Sequence, residues 1–124
     1  MSRLINILIV EDNLADAVLL KEYFKECQKN IRIDHVSRLV DAIQRIVKTE
    51  YDILFLDLSL PDSSGVETYE LLKIHYNNPI IIMTGYPQEV YDAYPENTPE
   101  FLEKGEITPS MLKEVIKKFV KSDF

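Results

Sequence analysis

Basic charge is what this sequence most lacks. Its 14 Lys and Arg stand against 21 Asp and Glu, for a net charge of −7. With no basic stripe to neutralise phosphates, the composition argues against nucleic acid as a partner. The one Lys-rich stretch, Lys113 to Lys121, reads as the wet face and last turn of a helix. Cysteine is almost absent. Cys27 alone forms no internal disulfide, which fits a reducing compartment, and it reads as a small core filler. The two histidines, His35 and His75, read as surface or strand residues without a role. No apolar run approaches membrane-spanning length: Leu4–Val10 is far too short and is followed by acids, not by a small-residue cleavage site. Repeats, linkers and low-complexity segments are also missing. What is left is one domain over residues 1–124, expected in the cytoplasm, with 46% hydrophobic and 28% charged residues and enough chain to bury a core.

What the chain does have is alternation. Ile5–Val10 and Ile53–Leu56 are branched apolar runs, the signature of strands buried on both faces of a parallel sheet. Between them, Leu20, Tyr23, Phe24 and Cys27 mark one face of a helix, with Asp12 or Asn13 as its cap. Residues 31–36 alternate like a half-buried edge strand. Ser37 is placed to cap a second helix that turns Leu39, Ile43, Ile46 and Val47 inward. Residues 58–65 form a loop rich in turn formers, and a third helix carries Tyr69, Leu72 and Tyr76. Asn77-Asn78-Pro79 breaks it before another buried strand, Ile80–Met83. The proline-rich stretch from Tyr86 to Glu100 supports only a short helix around Gln88–Tyr94. Phe101-Leu102 opens a last short strand. Thr108-Pro109 then starts the cleanest helix of the chain, with the stripe Leu112, Val115, Ile116, Phe119, Val120. Five βα units of this kind predict an α/β fold, a parallel sheet with helices on both faces.

Open parallel sheets bind and react at the carboxyl ends of their strands. There the sequence places Glu11-Asp12, Asp57, Thr84 and Lys104. Three carboxylates within a few ångströms need a compensating cation. Oxygen donors without His or Cys point to Mg²⁺. A lysine and a threonine beside that metal are what an incoming phosphoryl group requires, and Asp57 is then the nucleophile that forms an aspartyl phosphate.

With the pair Glu11-Asp12, with Asp57 followed by Pro61 and Gly65, and with Thr84-Gly85 and Lys104 in order, the chain resembles the receiver domains of two-component response regulators over nearly its whole length. The resemblance implies a flavodoxin-like three-layer sandwich with strand order 2-1-3-4-5. It implies Asp57 as phosphoacceptor, and Mg²⁺ held by Glu11, Asp12, Asp57 and the backbone carbonyl of Ser59. It implies Thr84 and Lys104 as the residues that sense the phosphoryl group, and Phe101 as an aromatic switch. The expected partners are a sensor histidine kinase or phosphotransfer protein and a downstream protein target, with a homodimer also compatible. The only catalysis expected is of its own phosphorylation and dephosphorylation. With no DNA-binding region after the last helix, output is expected through protein contact. Two departures stand out: Gly105 replaces the usual proline after the lysine, and the segment between Gly85 and Glu100 is short and proline-rich.

Three other readings compete. A phosphorylation-independent receiver would serve as an interaction module. A Mg²⁺-dependent aspartyl phosphatase of the haloacid-dehalogenase kind needs a second Asp two residues after the nucleophile, where this chain has Ser59. A flavodoxin-like FMN module would find its phosphate repelled by Glu11-Asp12.

Overall fold

The computed structural model describes residues 3–27 and 30–120. Along them run β1 (Ile5–Val10), α1 (Leu14–Cys27), β2 (Ile31–Val36), α2 (Leu39–Ile46), β3 (Ile53–Asp57), β4 (Ser59–Leu60), β5 (Ser63–Ser64), α3 (Val66–Lys73), β6 (Ile80–Thr84), α4 (Pro87–Ala93), β7 (Phe101–Glu103) and α5 (Pro109–Phe119). Lys121, the end of the Lys-rich stretch, lies outside the described residues. Five strands form one parallel sheet in the order β2-β1-β3-β6-β7, which is the predicted order of the five βα units. Each crossover carries its helix onto one face of the sheet or the other, giving three layers.

Strand alternation divides the core in two. Ile5, Ile7, Ile9, Ile53 and Phe55 face α1 and α5, where they meet Leu20, Phe24, Leu112, Val115 and Ile116. Phe24 and Phe55 pack edge to face, with ring centroids 5.0 Å apart. Leu8, Val10, Leu54, Leu56 and Ile82 face the other way, toward Leu39, Ala42, Leu72 and Val90 of α2, α3 and α4. β1 and β3 are buried on both faces, so they are continuous apolar runs. β2 pairs with β1 alone and is the half-buried edge. Cys27 packs partly buried against the first cluster, as a small filler would.

Of the two caps expected for α1, Asn13 serves: its Oδ1 accepts from the Asp16 N–H at 3.0 Å. Local detail corrects the sequence reading at three places. Ser37 does not cap α2; Arg38 is the cap residue and contributes no side-chain bond. Val47 is not inward but 68% exposed, because α2 ends one residue earlier and Ala42 takes the buried position. α3 ends at Lys73, so Tyr76 lies beyond it, buried, with its hydroxyl donating to the Tyr51 carbonyl at 2.9 Å. The loop after β3 also holds a small antiparallel hairpin, with Ser59 opposite Ser64 and Leu60 opposite Ser63 around the Pro61-Asp62 turn.

Candidate functional site

Register builds the site. In the β1–β3 pair Val10 stands opposite Leu56, so the next residues, Glu11 and Asp57, leave the sheet at the same level. In the β3–β6 pair Asp57 stands opposite Met83, which puts Thr84 one step further out. Thr84 in turn pairs with Glu103 on β7, and the Lys104 N–H donates to the Thr84 carbonyl at 2.8 Å. All five predicted side chains, from Glu11, Asp12, Asp57, Thr84 and Lys104, therefore stand at the carboxyl edge of three central strands and the β7 edge.

Glu11, Asp57 and Thr84 are buried, whereas Asp12 is exposed. One carboxylate oxygen from each of Glu11, Asp12 and Asp57 lies within 4.8 Å of the other two. The Lys104 ammonium reaches in to Glu11 Oε1 at 2.7 Å and Asp57 Oδ2 at 3.1 Å, with Asp16 Oδ2 at 3.8 Å. Backbone donors complete the pocket. The Ser59 N–H donates to Asp57 Oδ1 at 3.1 Å and the Asn13 N–H to Glu11 Oε2 at 3.1 Å. Ser59 itself is exposed and opens β4, two residues after Asp57.

One ammonium serves two buried carboxylates, and the electrostatics follow from that shortage. Burial, and then its contact with Asp57, push Glu11 up to about 7, against the opposing pull of Lys104 and the Asn13 N–H. Burial alone would lower Lys104, but its bonds to Glu11 and Asp57 prevail and hold the ammonium above its usual range. The cluster is thus short of positive charge, which holds the Glu11 carboxyl above the usual carboxylate range. A divalent cation among the three carboxylates would relieve that shortage, and an all-oxygen donor set suits Mg²⁺.

Thr84 and Phe101, the residues expected to switch, both connect to α4. Thr84 Oγ1 accepts from the Tyr86 N–H at 2.9 Å, which ties the hydroxyl to the start of α4. Phe101 is half-buried and packs edge to face on Tyr91 of α4, with centroids 5.3 Å apart. Gly105 follows Lys104 with φ of 91°, a value closed to proline, whose ring holds φ near about −65°. The substitution noted in the sequence therefore changes the loop path itself.

Sequence reading missed three contributors. His35, next to last on β2 and opposite Ile9 of β1, donates its Nε2–H to the Glu11 carbonyl at 2.7 Å. The adjacency of the two strand ends was the available signal. Asp16, one helical turn after Asp12, adds its carboxylate near Lys104. Asp62 turns from the hairpin to α2 and accepts from the Leu39 and Val40 N–H groups; with Ser37 reading as that helix's cap, nothing in the sequence pointed to it.

Comparison with known proteins places this arrangement. The model of the response regulator receiver domain matches residues 7–117, and the chain belongs to that family. The Bacillus anthracis sensory transduction protein LytT is 31% identical over 103 residues, 82% of this chain and 42% of LytT. An uncharacterized response regulatory protein of Vibrio cholerae is 24% identical over 124 residues, 98% of this chain and 52% of that protein. The chain thus spans about half the length, or less, of these curated relatives. Among solved structures, a CheY-like receiver domain from Methylobacillus flagellatus superposes with a TM-score of 0.78 at 27% identity, covering 93% of this chain and 98% of that one. Among the described residues no helix is long and apolar enough to cross a membrane.

Proposed function

We propose that this receiver accepts a phosphoryl group on Asp57 from a sensor histidine kinase or phosphotransfer protein and signals by contact with a protein target. The observation that carries the proposal is the convergence on Asp57: two further carboxylates within 4.8 Å and the Lys104 ammonium at 3.1 Å. Glu11, Asp12, Asp57 and the Ser59 carbonyl would hold Mg²⁺. The metal would supply charge to offset the carboxylates and the transferring phosphoryl oxygens. The chain's own residues supply the rest. One Asp57 oxygen attacks phosphorus as the donor's bond to phosphorus breaks. The Ser59 N–H, already on Asp57 Oδ1, fixes the rotamer of the attacking carboxylate. Lys104 provides an ammonium for a phosphoryl oxygen, and the Thr84 hydroxyl donates to another once it leaves the Tyr86 N–H.

Amide spectra test the proposal. Mg²⁺ should shift resonances around Glu11, Asp12 and Asp57, and Mg²⁺ with beryllofluoride should extend the change to Thr84, Phe101 and Lys104. Asp57→Asn should abolish the second change. Spectra indifferent to Mg²⁺ and beryllofluoride alike would favour a phosphorylation-independent interaction module instead.

A further inference from the structure

The loop that follows Asp57 is held at its tip by a helix it does not lead into. Asp62 Oδ1 accepts from the Leu39 N–H at 2.8 Å and Oδ2 from the Val40 N–H at 3.1 Å, across 23 and 22 residues of sequence. These are the first two N–H groups of α2, whose own cap residue, Arg38, makes no side-chain bond. The helix therefore takes its cap from the acceptor loop, and the loop takes its anchor from the helix. Burial raises the Asp62 carboxyl, but its backbone donors outweigh that and hold it below the usual carboxylate range.

The rest of the loop is fastened at its base. The Gly65 N–H donates to the Leu58 carbonyl at 2.8 Å, and Ser63 Oγ shares a hydrogen bond of 2.7 Å with the buried Thr68 hydroxyl of α3. Between tip and base lies Ser59, paired with Ser64 across the hairpin and donating its N–H to Asp57 Oδ1. With Asp62 detached, the two-residue strands β4 and β5 keep their own ladder, the buried Leu60 side chain and the α3 side, but lose the polar tie at the tip, and so short a hairpin is marginal alone.

We infer that Asp62 is a positioning residue for the acceptor site: by bonding the α2 N-terminus it fixes the β4–β5 hairpin, and through it the Ser59 backbone at Asp57. The inference rests on the reading of Asp57 as phosphoacceptor with the Ser59 carbonyl on Mg²⁺. It makes α2 a mechanical support of the site, although α2 contributes no side chain to it.

A merely structural cap and a positioning anchor separate in one set of variants. Asp62→Ala removes both roles. Arg38 has the extended backbone that a cap residue needs (φ −137°, ψ 151°), so Arg38→Ser in the Asp62→Ala background restores a local cap without restoring the anchor. Asp62→Asn keeps an acceptor oxygen and should retain part of the effect. The readouts are melting temperature, Mg²⁺ titration by amide shifts and the phosphorylation rate with acetyl phosphate. Expected is a recovery of melting temperature in the Asp62→Ala/Arg38→Ser protein while Mg²⁺ affinity and phosphorylation rate stay down by roughly tenfold, the scale of losses when an outer-shell support is removed. Recovery of all three would overturn the inference, as would an Asp62→Ala protein with wild-type Mg²⁺ affinity and rate. A wild-type protein that neither binds Mg²⁺ nor takes up phosphate would instead overturn the acceptor reading beneath it.

Discussion

Glu11 is the residue at which the charge shortage of the site becomes measurable. Its carboxyl is lifted from the ordinary 4.5 to about 7, first by burial and then by its contact with Asp57. A carboxyl raised in the folded state holds a proton that the unfolded chain releases, so its contribution is full below about 4.5 and is lost as pH rises through about 7. In a chelator-containing buffer, melting temperature should therefore fall between pH 5 and pH 8. Glu11→Gln, which is neutral throughout, should flatten that decline; an equally steep one in the variant would place the titration elsewhere. At Asp12 the expectation differs, because the side chain is exposed and bonded to neither Lys104 nor the backbone among the contacts of the site. Asp12→Ala should leave the metal-free protein as stable as before, or more so, while removing most of the Mg²⁺ response in a titration followed by melting temperature. The clustering of these carboxylates was legible in the sequence because strand-end acids announce themselves. The supports were not: His35, Asp16 and Asp62 act from neighbouring elements, and only the fold brings them in.

The element tied directly to Thr84 is α4. It is seven residues long, Val90 is its buried anchor, and its start is tied to Thr84 through the Tyr86 N–H. At its far end the Tyr94 hydroxyl bonds Glu70 of α3, and the Tyr94 ring packs on Tyr69. A Thr84 side chain turned toward a phosphoryl group would release the Tyr86 N–H, and that would free the first turn of α4 and the Tyr91–Phe101 contact beside it. Coupling of this kind is worth about 1–3 kcal/mol. Amide exchange with and without beryllofluoride should change most between Gly85 and Gly105, and Thr84→Ala should bind the mimic yet lose most of that change. Alteration confined to residues 59–65 would show that Thr84 and Phe101 do not carry the signal. Helix existence was readable from periodicity, as α5 and its Thr108 cap show. Helix ends were less so: Ser37 has a good cap chemistry, but the Asp62 carboxylate, two bonds from a distant loop, occupies the α2 N-terminus instead.

On the scale of the whole molecule the edge position of the second strand was readable, because an alternating run is half-buried, whereas the full strand order came from the resemblance to receiver domains. The same core sets the tolerance of the fold. Phe55 is fully buried against Phe24, and Phe55→Ala should cost about 3–5 kcal/mol in denaturant unfolding. The metal acts in the opposite sense: Mg²⁺ that binds only the folded protein should add about 1.4 kcal/mol at ten times its Kd. The Mg²⁺ effect depends on the proposed site, a pocket that would place a phosphoryl group on Asp57 between a metal and Lys104. Intact mass after incubation with acetyl phosphate and Mg²⁺ tests that claim most directly. The wild-type protein should gain a single labile phosphoryl group, and neither chelated wild type nor Asp57→Asn should gain one. A phosphoryl group that persists in Asp57→Asn, or a wild-type protein that takes up none, would contradict it.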